Sequence, residues 1–560
     1  PETLRRIHRM ADLREITGFF RLPIPGRDGC PGIALDSGLS TSSGNVGALP
    51  SGVVIGRFIE GTRVTQDEAA FLPNDLAKHG LIVGTPGSGK TSLTFSLLTQ
   101  LWERHHLPFL VLEPAKTEYR ALAMLPCFRE NLLVFTVGNE RTAPFRFNPF
   151  EIQEGVSVAE HISSLNTCFA GAFNLFDPLP MLLDQAIRTC YAERGWSEYE
   201  VGGETPGLEP PTMADLYRTA LQMAEQSSYK GETMGNIRGA LETRLGALLR
   251  GPKGRCFNTR RSVPMATLLA NPVVLELEAL NDEEKALLML FLLTALRAYA
   301  RANRKSGGGL QHIVMVEEAH NLIGRGEGQN GGHTANPKEI AVRFFVRMLA
   351  EMRALGEGIL IADQLPTAIA PEAIKSTNLK VMHRIVAAED RQELGQAMAF
   401  DGGQFQQAAL LPPGHSLVFQ EGWAQSRLVQ EPDFKSLYPE TAIPPDDREV
   451  KARMDPVLGG ASLQPVYLPY RECSALCTLC TPRVREQTER WIERKRPQVA
   501  QERQRRPTVD PARIALEEIL GDFDAPPEEA LRWHCLRVHF QAEISSASTD
   551  PKKGRLHGTA

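Results

Sequence analysis

The sequence predicts an α/β fold built on a parallel sheet, and three observations predict it. Short apolar runs with the composition of buried strands recur from residue 81 onward and alternate with longer helical segments. A glycine-rich phosphate-binding motif follows the first run, and a pair of glutamates follows the fifth. Strands buried on both faces have near-continuous apolar sequences, and the intervening helices supply the crossovers that parallel pairing requires.

Seven apolar runs are the predicted strands of this sheet, at residues 81–83, 109–112, 133–137, 273–277, 313–316, 359–362 and 381–386. A long insertion over residues 155–262 has helical periodicity and no convincing strand. Helix starts are marked by Asn281, with Glu284 three positions on, and by Asn336 followed by Pro337, because these residue types cap a first helical turn. We therefore expect one α/β core that is interrupted by a helical insertion.

Three parts are predicted along the chain. Residues 1–70 are short apolar patches broken by Gly, Ser and Pro, which indicates a small β-rich element. Residues 71–430 form the α/β core, and residues 431–560 are a polar, proline-rich C-terminal extension. Within that extension, residues 483–506 hold nine basic and four acidic residues, the pattern of a solvated helix face or of a DNA or partner contact.

Composition excludes several classes of protein. The 560 residues include 62 Lys+Arg against 67 Asp+Glu and are 42% hydrophobic, which is globular and not histone-like. The most apolar stretch, residues 286–296, is shorter than the roughly 18 residues that a membrane span needs, and the N-terminal residues show no apolar signal segment. Nine cysteines, an odd number, do not resemble a secreted disulfide framework. We expect a cytoplasmic protein without membrane association.

A phosphate-binding loop occupies residues 84–91, between a strand-like run and a helix-like run. It fits the pattern Gly, four residues, Gly, Lys, then Ser or Thr, in which backbone N–H groups surround the phosphates. Lys90 would pair with the β- and γ-phosphates, and the Thr91 hydroxyl would ligate Mg²⁺. A chance glycine-rich turn is the alternative. The predicted cofactors are ATP and Mg²⁺, and the predicted binding residues are Gly84, Thr85, Pro86, Gly87, Ser88, Gly89, Lys90 and Thr91.

Polar residues at the ends of two other runs are the predicted catalytic partners of this loop. Glu317 stands where a magnesium-associated carboxylate is needed, and Glu318 would polarise the attacking water. Gln364 follows the run at 359–362 and could contact the γ-phosphate or its water. The alternatives are a solvated acidic pair and an ordinary strand cap.

Together these motifs resemble the HerA–FtsK superfamily, and most closely its HerA-like DNA-translocating ATPases. The resemblance covers residues 71–430 and rests on the phosphate-binding loop, residues 113–119 (EPAKTEY), 144–150 (PFRFNPF) and 317–320 (EEAH), and the strand that ends at Gln364. It implies a RecA-like core, a homo-hexameric ring, ATP sites between subunits and duplex DNA in the pore. Glu113 and Glu317 replace residues that are more often Asp in the family, and both keep the charge.

The resemblance also implies an arginine that completes each site from the neighbouring subunit. Arg353, at the end of the helix before the Gln364 strand, resembles that residue, and Arg384 is the second candidate. A surface or helix-terminal arginine is the alternative for either. The glycine-rich residues 324–332, with Arg325, are either a pore loop that contacts DNA phosphates or a surface loop.

A cysteine cluster in the C-terminal extension is a candidate zinc site. Cys473, Cys477 and Cys480 have ligand spacing, and Cys535 or His534 could supply the fourth ligand. Free cysteines are the alternative. The spacing also matches the iron–sulfur motif of radical-SAM enzymes, but that motif stands early in a barrel, whereas about 80 residues follow it here.

The sequence as a whole predicts an ATP-hydrolysing hexamer that moves along duplex DNA. The family works with a nuclease, such as a NurA-like enzyme, or with a defence effector, such as a sirtuin-like NADase. The chain contains no recognisable nuclease or NADase motif, so the effector would be a separate protein, and antiphage defence is the favoured setting. The competing interpretation is a nucleotide-binding ring that assembles an effector without translocating. A secretion or conjugation ATPase would prefer membrane-proximal segments, which are not evident.

Overall fold

An eleven-stranded mixed sheet organises the chain. The computed structural model describes residues 51–205, 207–304, 307, 309–325 and 336–458. Its strands are β1 (Val53–Glu60), β2 (Arg63–Phe71), β3 (Gly80–Val83), β4 (Phe109–Glu113), β5 (Leu133–Thr136), β6 (Val273–Glu276), β7 (His312–Val316), β8 (Glu357–Asp363), β9 (Leu379–Met382), β10 (His415–Phe419) and β11 (Arg427–Gln430). Their spatial order in the sheet is β2-β1-β11-β10-β9-β3-β8-β7-β4-β6-β5.

The centre of the sheet is parallel and buried. Strands β9, β3, β8, β7, β4, β6 and β5 pair in parallel, and every residue of these strands is buried. Each of the seven predicted runs falls on one of them, so the predicted fold class is confirmed. The last run was placed too far along the chain, because β9 ends at Met382 and Val386 is 65% exposed.

The remaining strands extend the sheet in antiparallel fashion. β10 pairs with β9, β11 with β10, and the hairpin of β1 and β2 joins through β11. The described part of the predicted N-terminal element therefore adds two strands to the core sheet. Residues 1–50 lie outside the described residues, and the predicted domain boundaries stay predictions.

Helices cover the sheet and form the insertion between β5 and β6. Five of them lie in the insertion, as predicted from its periodicity. The α-helices of the described residues are α1 (Lys90–His105), α2 (Val158–Ala172), α3 (Leu179–Glu193), α4 (Met213–Gln226), α5 (Glu232–Arg244), α6 (Gly251–Phe257), α7 (Met265–Ala270), α8 (Asp282–Asn303), α9 (His320–Ile323), α10 (Pro337–Ala354), α11 (Pro371–Lys375), α12 (Ala388–Ala397), α13 (Gln404–Leu410), α14 (Phe434–Leu437) and α15 (Asp447–Leu458).

The predicted caps begin two of these helices. Asn281 Oδ1 accepts a hydrogen bond from the Glu284 N–H at 2.9 Å, and Glu284 Oε2 accepts one from the Asn281 N–H at 3.0 Å, so α8 begins with a capping box. Helix α8 is also long and apolar enough to cross a membrane, but 61% of its most apolar window is buried inside the fold. It packs against α2 and α10, as a core helix does.

Helix α1, which follows the phosphate-binding loop, is attached to one segment near the start of the described sequence and to another near its end. Gln100 on α1 accepts a hydrogen bond from the Val54 N–H at 2.9 Å and donates one to the Val54 carbonyl at 2.8 Å, which attaches the helix to β1. Ser92 Oγ accepts a hydrogen bond from the Phe434 N–H at 3.0 Å, which attaches it to α14. Chain segments more than 300 residues apart thus meet on one helix.

A buried ion pair fixes the last described helix to the sheet. Arg120, in the 3₁₀ turn after β4, donates two hydrogen bonds to the carboxylate of Glu276 at the end of β6, at 2.5 and 2.6 Å. Its remaining donors reach the Pro445 carbonyl at 3.2 Å and Asp447 at 2.9 Å. Because Glu276 is only 3% exposed, its charge depends on Arg120 for compensation.

We expect Arg120→Met to lower the free energy of unfolding by about 3–5 kcal/mol, because it leaves the buried carboxylate of Glu276 unpaired. Chemical denaturation followed by circular dichroism measures the change. Arg238→Met is the matched control, since Arg238 pairs with Glu242 on the exposed face of α5 and should matter little. Equal effects in the two variants would contradict the buried-pair interpretation.

Candidate functional site

The phosphate-binding loop lies between the ends of three neighbouring strands. It leaves β3 after Val83 and enters α1 at Lys90. The Gly84 N–H donates to the Asp363 carbonyl at the end of β8 (3.3 Å), and the Thr85 N–H donates to the Arg384 carbonyl beyond β9 (3.0 Å). Gly89 has φ of 121°, a conformation that other residues rarely adopt. The loop is therefore held by backbone hydrogen bonds on both sides, and its conformation requires glycine.

Lys90 lies over this loop. Its ammonium donates a hydrogen bond to the Gly84 carbonyl, so the charge is held across the loop opening. Burial lowers the pKa of Lys90, while the carboxylates of Glu317 and Glu318 oppose that shift. A cation at this position faces the space that the backbone N–H groups of the loop surround.

An open cleft of about 320 Å³ lies against the loop, at the carboxyl edge of β3, β4, β7 and β8. It brings together most of the residues that the sequence predicted for the site, from four separate segments of the chain. The cleft is lined by Pro86, Gly87, Gly89, Lys90, Thr91, Ser92, Glu113, Pro114, Ala115, Lys116, Glu118, Tyr119, Glu317, Glu318, Gln364 and Lys435.

Glu317 follows β7 and reaches the floor of the cleft. Its backbone N–H donates to the Leu112 carbonyl at 3.1 Å, and its carboxylate accepts a hydrogen bond from the Tyr119 hydroxyl. Burial raises the pKa of Glu317 to about 7, against the opposing effects of the Tyr119 hydrogen bond and the Lys90 charge. A divalent cation would favour the ionised carboxylate, so the residue suits a site that holds Mg²⁺.

Glu318 and Gln364 form a pair beside Glu317. The Gln364 amide donates to Glu318 Oε1 at 2.5 Å, and Glu318 has a φ of 45°, in the left-handed region. The buried carboxylate of Asp363 accepts hydrogen bonds from the His320 N–H at 2.8 Å and from the Gln364 N–H at 2.7 Å. Asp363 therefore fixes both chain segments that present the pair, a role that the sequence alone does not predict.

A second acidic segment follows β4. Glu113 is 3% exposed, and its carboxylate accepts hydrogen bonds from the Glu118 N–H at 2.6 Å and the Tyr119 N–H at 3.4 Å. Burial raises the pKa of Glu113 well above its ordinary value, and these hydrogen bonds oppose the rise. Glu118 in turn accepts a hydrogen bond from the Thr91 hydroxyl at 3.2 Å. Glu113 thus holds the loop that lines the cleft, and its contact with nucleotide stays a prediction.

The two candidate arginines lie outside the cleft of their own chain. Arg353 is exposed at the end of α10, just before β8 begins, and so lies at the opposite edge of the sheet. Arg384 lies beyond the carboxyl end of β9, where its carbonyl also accepts a hydrogen bond from the Thr85 hydroxyl at 3.0 Å. Arg325 pairs with Glu393 at 2.7 Å. The roles predicted for the three arginines stay predictions.

Lys435 is a cleft residue that no sequence pattern predicts. It extends into the cleft from α14, beyond the predicted end of the core at residue 430, and is exposed. Its neighbour Phe434 fixes the position, since the Phe434 ring packs edge-on against Phe95 with centroids 5.7 Å apart. No motif surrounds Lys435, so only the fold could reveal it.

Other predicted features lie outside the described residues or gain no support from them. Cys473, Cys477, Cys480 and Cys535 are not described, and neither are residues 483–506 and 326–335. Among the described residues, Glu318, His320 and Asp363 have possible ligand atoms within 4.8 Å of one another. Since His320 and Asp363 already bond to each other within the turn, this group does not need a metal to explain it.

Comparison with solved structures finds a similar fold. The chain is similar in fold to VirB4 of Thermoanaerobacter pseudethanolicus, with a TM-score of 0.51 and 16% identity, covering 68% of this chain and 96% of that one. The fold is that of a RecA-like P-loop ATPase. The plasmid coupling protein TrwB, in complex with ADP and Mg²⁺, gives a TM-score of 0.46 and 10% identity, covering 68% and 94% of the two chains. No protein-family model and no curated protein sequence matches. The shared fold confirms the predicted RecA-like core, and the resemblance to the HerA–FtsK superfamily stays a prediction.

We expect Lys435→Met to weaken binding of a fluorescent ATP analogue about fivefold, because one exposed cation beside the P-loop helix contributes on the order of 1 kcal/mol. Equilibrium fluorescence titration measures the affinity. Lys451→Met is the control, since Lys451 lies on α15 and pairs with Asp455. Unchanged affinity in Lys435→Met would remove Lys435 from the site.

Proposed function

We propose that the chain is an ATP-hydrolysing motor that binds and translocates duplex DNA as a homo-hexamer. The observation that carries the proposal is the cleft, which gathers Lys90, Thr91, Glu317 and Glu318 at the carboxyl edge of a parallel sheet. This edge is where α/β folds bind nucleotides. The motif order of the HerA–FtsK superfamily and the fold shared with VirB4 support the DNA-translocating class.

Each of these cleft residues has its own role in the proposed binding and hydrolysis of ATP. The loop N–H groups and Lys90 bind the phosphates, and Thr91 with Glu317 would hold Mg²⁺. When bound, Mg²⁺ neutralises charge on the phosphate oxygens. Glu318 orients the attacking water and accepts its proton, while Gln364 keeps the Glu318 carboxylate in place.

Hydrolysis in this proposal is completed across a subunit boundary. The cleft of one chain contains neither candidate arginine, so the cation that stabilises the transition state would come from the neighbour. Arg353 remains the first candidate, because it is exposed on the edge of the sheet opposite to the cleft and is available to a second subunit. Arg384 is the second.

The cellular setting is proposed from the resemblance alone. A separate nuclease or effector protein would use the motor in antiphage defence, in the cytoplasm and without membrane association. The zinc site at Cys473, Cys477, Cys480 and Cys535 stays a prediction. Stimulation of ATP hydrolysis by duplex DNA distinguishes the motor from a scaffold ring, since a scaffold has no reason to couple turnover to DNA.

We expect Lys90→Ala to abolish ATP hydrolysis while the protein stays folded, because a phosphate contact is lost and no core is disturbed. Glu318→Gln should also stop hydrolysis but should retain bound ATP, because the phosphate ligands remain. Steady-state turnover and nucleotide retention on a desalting column measure the two effects. Full turnover in Lys90→Ala, or loss of binding in Glu318→Gln, would show that these roles are misassigned.

We expect Arg353→Ala to bind nucleotide and form rings but to lose roughly 10³-fold or more of its turnover, as arginine fingers do. Mixing it with Lys90→Ala subunits should restore part of the activity, because an intact loop can then face an intact arginine. Turnover is measured across mixing ratios, with subunit exchange confirmed by labelled chains. Exchange without any recovery would reject Arg353 and move the same test to Arg384.

A further inference from the structure

We propose that Tyr119 is a positioning residue that holds the carboxylate of Glu317 in place for the metal ion. This inference rests on the proposed function, because it concerns how the same site binds Mg²⁺ with nucleotide. It concerns the loop from Glu113 to Tyr119, which lines the cleft.

The contacts of the Tyr119 hydroxyl determine which atom accepts its proton. The side chain is 2% exposed, and the hydroxyl contacts Glu317 Oε1 and, at 2.9 Å, Thr94 Oγ1. A phenol has one proton, and an ionised carboxylate can only accept. The proton of Tyr119 therefore goes to Glu317, which leaves Glu317 Oε2 for a cation.

The length of the Glu317 side chain gives this contact a physical reason. Glutamate has one more methylene group than aspartate, and so one more rotatable bond between the backbone and the carboxylate. A metal ligand is oriented by the groups that hydrogen-bond to it, and their loss weakens metal binding. Tyr119 removes the added freedom by fixing one carboxylate oxygen, and the edge-on contact of its ring with Phe95, at 5.2 Å between centroids, fixes Tyr119 itself.

One loop sets both sides of the predicted metal position. Glu113 accepts hydrogen bonds from the backbone N–H groups of Glu118 and Tyr119, so the two side chains are placed together. Tyr119 then contacts Glu317, while Glu118 contacts the Thr91 hydroxyl at 3.2 Å. Thr91 and Glu317 are the two residues predicted to ligate Mg²⁺, and each has a partner from this loop.

The competing interpretation is a tyrosine that only packs the core, and the chain contains a matched control for it. Tyr191, in the helical insertion, is 1% exposed and donates a hydrogen bond to the Phe150 carbonyl at 2.6 Å. Tyr119→Phe and Tyr191→Phe each remove one buried hydroxyl. Only Tyr119→Phe removes a partner of Glu317.

The test is equilibrium binding of a fluorescent ATP analogue during titration with Mg²⁺. Tyr119→Phe should need about tenfold more Mg²⁺ for half-maximal effect, with binding in EDTA unchanged and with kcat lowered more than KM is raised. Tyr191→Phe should follow the wild type in both titrations. A Mg²⁺ response of Tyr119→Phe that matches Tyr191→Phe would overturn the inference.

Glu317→Asp provides a second test, and this single variant can be measured even where Tyr119→Phe does not fold. A shorter side chain cannot keep the Tyr119 contact, so this variant should need more Mg²⁺. Adding Tyr119→Phe to Glu317→Asp should then change little. An unchanged Mg²⁺ requirement in Glu317→Asp, or additive effects in the double variant, would overturn the inference.

Measurements on the wild-type protein distinguish a failure of this inference from a failure of the proposed function. Wild-type protein that hydrolyses ATP, together with a Tyr119→Phe variant of normal Mg²⁺ response, rejects the positioning role alone. Wild-type protein that shows neither hydrolysis nor Mg²⁺-dependent binding rejects both.

Discussion

The parallel pairing of β3 with β8 and β9 is the constraint on which the site depends. Pairing in one direction brings the carboxyl ends of these strands to the same edge, where the phosphate-binding loop can bond to the chain that leaves each neighbour. An antiparallel neighbour would put a strand start there instead, without the polar residues that follow β8. The position of the site is therefore set first by the direction of these strands, and the side chains act within that arrangement.

Four carboxylates line the cleft beside three lysines, Lys90, Lys116 and Lys435. Glu113, Glu118, Glu317 and Glu318 all line it, and burial raises the pKa of Glu113 and of Glu317. Such a cluster is costly in a protein alone, because each carboxylate is removed from water near others of the same sign. A bound divalent cation reverses that balance, so the acidity of the cleft favours a metal–nucleotide complex over a free nucleotide anion.

The sequence predicted what is local and left out what depends on tertiary contacts. Strands such as 313–316 were predictable because a strand buried on both faces must be apolar throughout, and the loop at 84–91 was predictable because its backbone conformation demands glycines at set spacing. Asp363 and Lys435 were missed, since nothing near them in sequence shows that one holds the turn of Glu318 and the other enters the cleft. Tyr119 was recognisable only as part of the motif at residues 113–119, because its hydrogen-bond partner Glu317 is 198 positions away.

The two attachments of α1 have a mechanical consequence. The helix that begins at the phosphate-binding loop is bonded through Gln100 to β1 and through Ser92 to α14. Any displacement of this helix must either break those hydrogen bonds or carry both neighbours with it. β1 lies near the start of the described residues and α14 lies near their end. A movement of α1 caused by a bound phosphate would therefore be transmitted through these hydrogen bonds to both segments.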